Sequence, residues 1–303
     1  FDKNFGIAFK KLKPDMILIL GDRYEIFAAA ISAMIFRLPI AHIHGGELTE
    51  GAIDDAIRHS ITKMSHLHFV SHQEYKKRVI QLGEFPKKVF NVGGLGAENI
   101  SNMKFNEKNV LEKKYKFKFL KNNFLITYHP VTLEPKKIKN DINELIKALQ
   151  SIKNTLFIFT LPNADHDNQV ITKLISKFCR KNKNVIIFKN LGSKNYISIM
   201  KHVDLVIGNS SSGILEAPSL KIPTINIGMR QKGRVFAKSI VNANERADDI
   251  YKKIQYCTSD LFKQKLKKIS NPYKKNYTSR AIVKTLETQN INNLLIKKFY
   301  NMK

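Results

Sequence analysis

The sequence predicts an α/β protein of two Rossmann-like domains facing one another across a cleft. Three observations predict it. Short apolar runs of strand length alternate with stretches of helical period, the pattern of parallel sheets covered by helices. The alternation occurs in two series, separated by a polar, lysine-rich stretch at 101–123. The 303 residues, 43% of them hydrophobic and 10% aromatic, suffice for two cores of ordinary size and exclude general disorder. In such sheets ligands bind beyond the carboxyl ends of the strands.

In the first series, apolar runs place strands at 16–20, 40–44, 67–70 and 89–92. Periodic stretches place helices at about 24–36, 53–65 and 73–82 between them. The stretch 101–123 reads as a linker with a short helix. In the second series, strands are expected at 124–128, 156–161, 185–188, 205–207 and 224–227, the last being the final clear strand. Helices are expected at 139–152, 168–179 and 196–200, with another opening at 213–219. Three C-terminal helices follow at 248–256, 260–269 and 279–298. The expected domains are 1–100 and 101–280, with 281–303 a C-terminal helix packing back on the first.

Composition removes several function classes. The longest mostly apolar stretch without a charge, residues 26–36, is 11 residues long, against the roughly 20 that a membrane helix needs. No secretory leader pattern opens the chain, so a cytoplasmic protein without a membrane partner is expected. Cys179 and Cys257 form no CxxC pair and no disulfide framework. The net charge of +27 raises nucleic-acid binding as an alternative. Only nine of the 52 basic residues are arginine, however, and the lysines are scattered. No zinc-finger or RRM signature accompanies them, so no nucleic-acid partner is expected.

The candidate chemistry begins after the first strand. Gly21 permits a sharp turn, which leaves Asp22 at the strand's carboxyl end. Asp22 there either caps the next helix or faces a ligand. The second strand ends in Ala41-His42-Ile43-His44-Gly45-Gly46-Glu47. Strand alternation places His42 and His44 on one face and Ile43 on the other. An H-x-H pair without an HExxH motif or a carboxylate cage is weak support for a metal, and none is expected. In the helix at 53–65, Ile53, Ile57 and Ile61 form the expected buried stripe. Asp54 with Arg58, and Asp55 with His59, are i, i+4 pairs. On an isolated helix these would be surface ion pairs worth about 0.3–0.5 kcal/mol each. Acids and histidines recur at successive strand ends, which favours a cleft cluster suited to acid–base work and to stabilising a developing positive charge.

An anion site is expected in the second series. The strand at 205–207 runs into Gly208-Asn209-Ser210-Ser211-Ser212-Gly213, and free N–H groups and hydroxyls at a helix start favour phosphate. The run is not a Walker loop. Glu216, about one turn into the helix, either accepts from a ribose diol or is a solvated surface acid. Arg230 and Arg234 lie beside glycines at the next strand end and suit bidentate phosphate contacts. His129, before Pro130, is a candidate diphosphate contact. His66, His68, His72 and His202 read as structural or surface residues.

Taken together, GDRYE (21–25), HIHGGELTEG (42–51), DDAIRHSITKMSHLHFVS (54–71), RVIQLGE (78–84), VGGLG (92–96), PNAD (162–165), GNSSSGILEAPS (208–219) and NIGMRQKGR (226–234) resemble the hydrolysing UDP-N-acetylglucosamine 2-epimerases. The HIHGGE and DDxxRHxITK forms resemble the bacterial sialic- and legionaminic-acid branch. The resemblance implies the GT-B type of two-domain fold, with the nucleotide on the C-terminal domain. It implies anti elimination of UDP across C1–C2, then hydration of the 2-acetamidoglycal with C2 inverted, giving UDP and N-acetylmannosamine. It implies a UDP-sugar substrate, no metal or redox cofactor, and a homo-oligomer, dimer or tetramer. Asp22, His44, Glu47, Asp54 and Arg58 take catalytic positions, although some relatives carry a Glu where His44 stands. Arg23, Asp55, His129, Ser210, Ser211, Glu216, Arg230 and Arg234 take substrate- or UDP-binding positions. The family begins with a strand and a glycine-containing loop some tens of residues before GDR. This chain lacks them and is expected to be a fragment of low activity. The 2,4-diacetamido-trideoxy sugar is an alternative substrate, and a GT-B glycosyltransferase an alternative enzyme.

Overall fold

The computed structural model describes residues 2–50, 52–130, 137–161 and 168–302. Gly51, the 131–132 end of the turn after His129, and the PNAD motif at 162–165 lie outside the described residues. The chain divides into two units. The first comprises Phe1–Glu98, Gly233–Val235 and Tyr273–Lys303, and the second Asn99–Lys232 and Phe236–Pro272.

The first unit carries a parallel sheet in the order β1 (Ile17–Leu20), β2 (Ile40–Ile43), β3 (Leu67–Val70), β4 (Val89–Asn91). Its register sets Ile19 beside His42 and His42 beside His68. Helices α2 (Tyr24–Ile35), α3 (Ile53–Met64) and α4 (Gln73–Gln81) connect the strands. They fall within a residue or two of the expected positions, because each begins and ends where apolar periodicity does. A helix not expected from the sequence, α1 (Asp2–Leu12), precedes them. It packs through Phe5 and Phe9, spaced i, i+4, and Phe9 meets the Phe36 ring edge-on at 5.9 Å. The buried face of α3 is also a correction. Ile53 is 52% exposed, whereas Arg58, Ile61 and Thr62 are buried. The helix is turned so that its arginine, not its first isoleucine, faces inward.

The last segment completes the first unit's core. Helix α13 (Thr278–Glu287) contributes Ile282, which clusters with Ala41, Leu67, Phe69 and Val92. The helix stops eleven residues short of the expected end, and a single 3₁₀ turn, Ile291–Asn293, follows. Thr288 and Asn290 sit at the break, and such side chains compete with the backbone for hydrogen bonds.

The second unit has a six-stranded parallel sheet, built from β5 (Asn122–Thr127), β6 (Thr155–Thr160), β7 (Val185–Phe188), β8 (Leu205–Gly208), β9 (Thr224–Ile227) and β10 (Ile240–Ala243). Its order is β10-β9-β8-β5-β6-β7. Successive strands run outward from β5 in one direction and from β8 in the other, so the order reverses between these two neighbours. Strand β10 follows the one expected to be last; it is a half-exposed edge strand and lacks the continuous apolar run of a buried one. Helices α7 (Ile138–Gln150), α8 (Asn168–Lys181), α11 (Ala247–Thr258) and α12 (Asp260–Leu266) supply one apolar layer over the sheet. Ile100 of α5 (Leu95–Asn102), Leu111 of α6 (Lys108–Tyr115) and helix α9 (Gly192–Lys201) lie in the other, into which the linker folds Phe117 and Phe119. Among the described residues no helix is long and apolar enough to cross a membrane.

Candidate active site

In the first unit, the carboxyl ends of β1 and β2 gather acids around two arginines. Asp22 does not cap α2, whose N-cap position is Arg23, a residue that makes no side-chain capping hydrogen bond there. Its carboxylate instead pairs with Arg58 of α3. Arg58 is 1% exposed, a costly place for a cation unless every donor is matched. It donates to the Glu47 carbonyl at 2.8 Å, to Thr49 Oγ1 at 2.8 Å and to Asp55 Oδ1 at 3.4 Å. Asp55 also accepts from the Thr49 amide at 2.7 Å and faces His59 Nε2 at 3.5 Å. The acid of α3 that meets Arg58 is therefore Asp55, at i−3. Asp54 makes no ion pair with it, contrary to the i, i+4 expectation. The Arg23 guanidinium pairs with Glu25 at a half-exposed site.

The second group centres on Glu47, whose side chain is 4% exposed. His44 Nδ1 lies 2.6 Å from Oε1, Ser71 Oγ donates to the same oxygen at 2.9 Å, and Arg234 Nη1 is 2.9 Å from Oε2. Arg234 Nε donates to the Leu48 carbonyl at 3.1 Å. Burial alone would raise the Glu47 carboxyl, but Arg234 and His44 more than offset it and hold it down to about 2. Glu47 is therefore an anion at any working pH. Arg234, expected to bind the substrate or UDP, meets Glu47 in the first unit. His42 and His44 do not share a face, because β2 ends at Ile43 and His44 has left-handed backbone (φ 68°). His42 is fully buried and donates from Nε2 to the Gly21 carbonyl at 2.8 Å. Burial pushes it down to about 3, so it is neutral and fixes the turn that presents Asp22.

In the second unit the site forms where the strand order reverses, the place at which open α/β sheets bind ligands. His129 follows β5 and Asn209 follows β8. The Asn209 side chain accepts from the His129 amide at 2.7 Å and donates to the His129 carbonyl at 2.8 Å. Arg230 Nη1 and Gln231 Nε2 both donate to the Asn209 carbonyl, at 3.0 and 2.8 Å. Ser210 Oγ lies 3.1 Å from Ser212 Oγ, which meets the Tyr196 hydroxyl at 2.6 Å. Ser211 starts α10 (Ser212–Leu215) without a side-chain cap. The helix expected over 213–219 is interrupted: α10 ends at Leu215 with Glu216 as its C-cap, and a 3₁₀ turn, Ala217–Leu220, carries Pro218. Pro218 has no N–H to continue the α-helix. Glu216 is thus half-buried at a junction rather than one turn along a helix.

The structure therefore brings Asp22, His44, Glu47, Asp55, Arg58 and Arg234 together in the first unit, and His129, Ser210 and Arg230 around Asn209 in the second. Asn209, Gln231, Thr49, Ser71 and Tyr196 are participants that sequence reasoning passed over. The available signal was Asn209 itself, a primary amide at a strand end. The other four show only once strands pair. Among the described residues no three His, Cys, Asp or Glu side chains converge to hold a metal ion.

Residues 3–287 match the family described as UDP-N-acetylglucosamine 2-epimerase. The chain belongs to that family. This epimerase-family chain is 47% identical to the GDP/UDP-N,N'-diacetylbacillosamine 2-epimerase (hydrolyzing) of Campylobacter jejuni, over 98% of this chain and 78% of the relative. It is 44% identical to the polysialic acid biosynthesis protein P7 of Escherichia coli, over 92% and 71%. Among solved structures, that of Neisseria meningitidis UDP-GlcNAc 2-epimerase bound to UDP-GlcNAc is similar with a TM-score of 0.79 and 20% identity, over 94% of this chain and 80% of the other. The Staphylococcus aureus MnaA–UDP co-structure is similar with a TM-score of 0.79 and 17% identity, over 99% and 80%. These likenesses show the GT-B type of fold.

Proposed function

We propose that this protein is a hydrolysing 2-epimerase that converts a UDP-linked 2-acetamido sugar to free 2-epimer and UDP. The observation that carries the proposal is the pair of charged groups at the ends of β1 and β2, Asp22 on Arg58 and Glu47 between His44 and Arg234. C2–H has no adjacent carbonyl and is a poor acid, so the C1–O bond must break early, its electron pair leaving with UDP. Positive character then grows on C1 and the ring oxygen, and two fixed carboxylates stabilise it. The C2 proton passes to the His44–Glu47 pair. With Nδ1 donating to Glu47, His44 keeps Nε2 as its acceptor. Water then supplies hydroxide to C1 and a proton to the opposite face of C2. The polar groups around Asn209 suit a diphosphate on the second unit.

UDP-N-acetylglucosamine is the simplest sugar that fits, and its product would feed sialic acid synthesis. The names of the 47% and 34% identical relatives, both diacetylbacillosamine 2-epimerases, favour the 2,4-diacetamido-trideoxy sugar as a second reading, feeding legionaminic acid synthesis. The test is proton NMR of the protein with each UDP-sugar in D2O and EDTA. UDP release with deuterium at C2 of a free manno-configured product is expected from at least one. UDP release only when an acceptor sugar is added would make it a glycosyltransferase and overturn the proposal, as would a product that keeps its C2 proton.

A further inference from the structure

The segment Gly233–Val235 belongs to the first unit and ends beside two tyrosines that the mechanism does not use. Tyr75, on α4, and Tyr273, at the start of the last segment, are both fully buried, their rings stacked at 6.0 Å. The Val235 amide donates to the Tyr75 hydroxyl at 3.0 Å, and the Tyr273 hydroxyl donates to the Val235 carbonyl at 2.7 Å. The two hydroxyls are 2.6 Å apart. Each phenol has one proton. Tyr273 spends its proton on Val235, so Tyr75 must donate to Tyr273. The circuit runs from Val235 N–H to Tyr75, then to Tyr273, and back to the Val235 carbonyl. Every donor has one acceptor, and the direction is unique. Burial raises both phenols, so both keep the protons that the circuit needs.

Tyr273 is itself anchored, and the helix that carries Tyr75 is tied to the Glu47 loop. Tyr273 accepts from the Gly94 amide at 2.8 Å through its carbonyl. Arg78, one turn after Tyr75, donates to the Gly46 carbonyl, in the loop that carries Glu47. We propose that Tyr75 and Tyr273 are positioning residues: by closing this circuit on Val235 they fix the backbone from which Arg234 reaches Glu47. Neither tyrosine is required to touch substrate. Glu47 faces His44 from its own loop, Arg234 from the crossing segment, Arg58 at its carbonyl from α3, His42 from β2 and the two phenols behind Arg234. Of these, Arg234 is the cation that the circuit controls.

The catalytic half of this inference rests on the function proposed above, and the test separates the two. Tyr75→Phe and Tyr273→Phe each break the circuit while keeping the ring. Hydrogen exchange at residues 233–235 needs no turnover and is expected to be at least tenfold faster in either variant, with the fold retained by circular dichroism. Exchange unchanged from wild type overturns the circuit. With a substrate that the wild type turns over, kcat is expected to fall about tenfold or more with KM within about threefold. The acid limb of kcat should move to higher pH, because Glu47 loses its counter-ion. Adding Tyr273→Phe to Arg234→Ala should cost no further kcat. Losses that multiply in the double variant, or an acid limb that stays in place, would reduce the tyrosines to core packing. A wild type inert on both sugars overturns the proposed function and leaves the exchange result standing.

Discussion

Arg58 shows how one side chain can organise a site. Its guanidinium ties Asp22 after β1, the Glu47 carbonyl after β2, and Asp55 on its own helix. Arg58→Ala is expected to cost about 3–5 kcal/mol in urea unfolding, because it strands buried acceptors as well as removing a charge. Asp22→Asn keeps an acceptor for Arg58 but removes the charge that pairs with it, so it should destabilise by less than Arg58→Ala and lower kcat by a hundredfold or more, measured as UDP release. The spacing Asp54–Arg58 was visible in the sequence, as was the recurrence of acids at strand ends. The true partners were not, because Asp22 and Arg58 are 36 residues apart and only the pairing of β1 with β2 brings the two together. The same holds for His42, whose role at the Gly21 turn depends on its strand neighbour. His42 has a folded pKa depressed to about 3 from an unfolded value near 6.5. Between those values the unfolded chain binds a proton that the folded chain refuses, so stability present above pH 6.5 is lost as pH falls toward about 3. Glu47 adds its own loss between pH 4.5 and about 2. Denaturant midpoints should therefore decline steadily from pH 7 to pH 4. His42→Gln, which keeps a donor for Gly21 but not the titration, should flatten that decline.

At the level of elements, β5 and β8 define the second unit's site, and the end of β8 is held by Gly208. Its φ is 134°, and a Cβ there would sit 1.9 Å from the Thr127 carbonyl oxygen. Both the conformation and the contact forbid a side chain. Gly208→Ala is expected to cost about 3 kcal/mol or more in urea unfolding and to weaken UDP binding by calorimetry, since β8 must withdraw from β5 and take Asn209 with it. An unchanged affinity for UDP would mean that Asn209 does not organise the nucleotide site. The strands themselves were legible, because buried parallel strands are uninterrupted apolar runs. The half-exposed β10 and α1 were not, as each carries only part of an apolar face. The broken helix at Glu216 was in principle readable from Pro218, but a glycine–serine turn before an apolar run is also how ordinary helices begin.

The scale of the whole molecule is where sequence order misleads most. The first unit is assembled from three separate stretches, and the last of them begins at Tyr273. That stretch supplies Ile282 and Leu294 to the core, each worth about 2 kcal/mol on burial. Thr278 donates to the Val92 carbonyl at 2.8 Å. Lys297 donates to both oxygens of the buried Glu84 at 2.9 Å, with Lys63 and His68 on the same carboxylate. Burial would raise Glu84, but the hydrogen bonds from His68, Lys63 and Lys297 together hold it down to about 2. Set against a typical domain stability of about 5–15 kcal/mol, the loss of all these contacts exceeds what the first unit can tolerate. A chain truncated after Pro272 is therefore expected to lose the first unit's unfolding transition and to be cut by protease within 1–98. The second unit, whose segments all precede Tyr273, should keep its own cooperative transition and the UDP binding proposed for it. Calorimetry with limited proteolysis distinguishes the outcomes. Protection of 1–98 in the truncated chain would show that the last segment only decorates a core already complete without it.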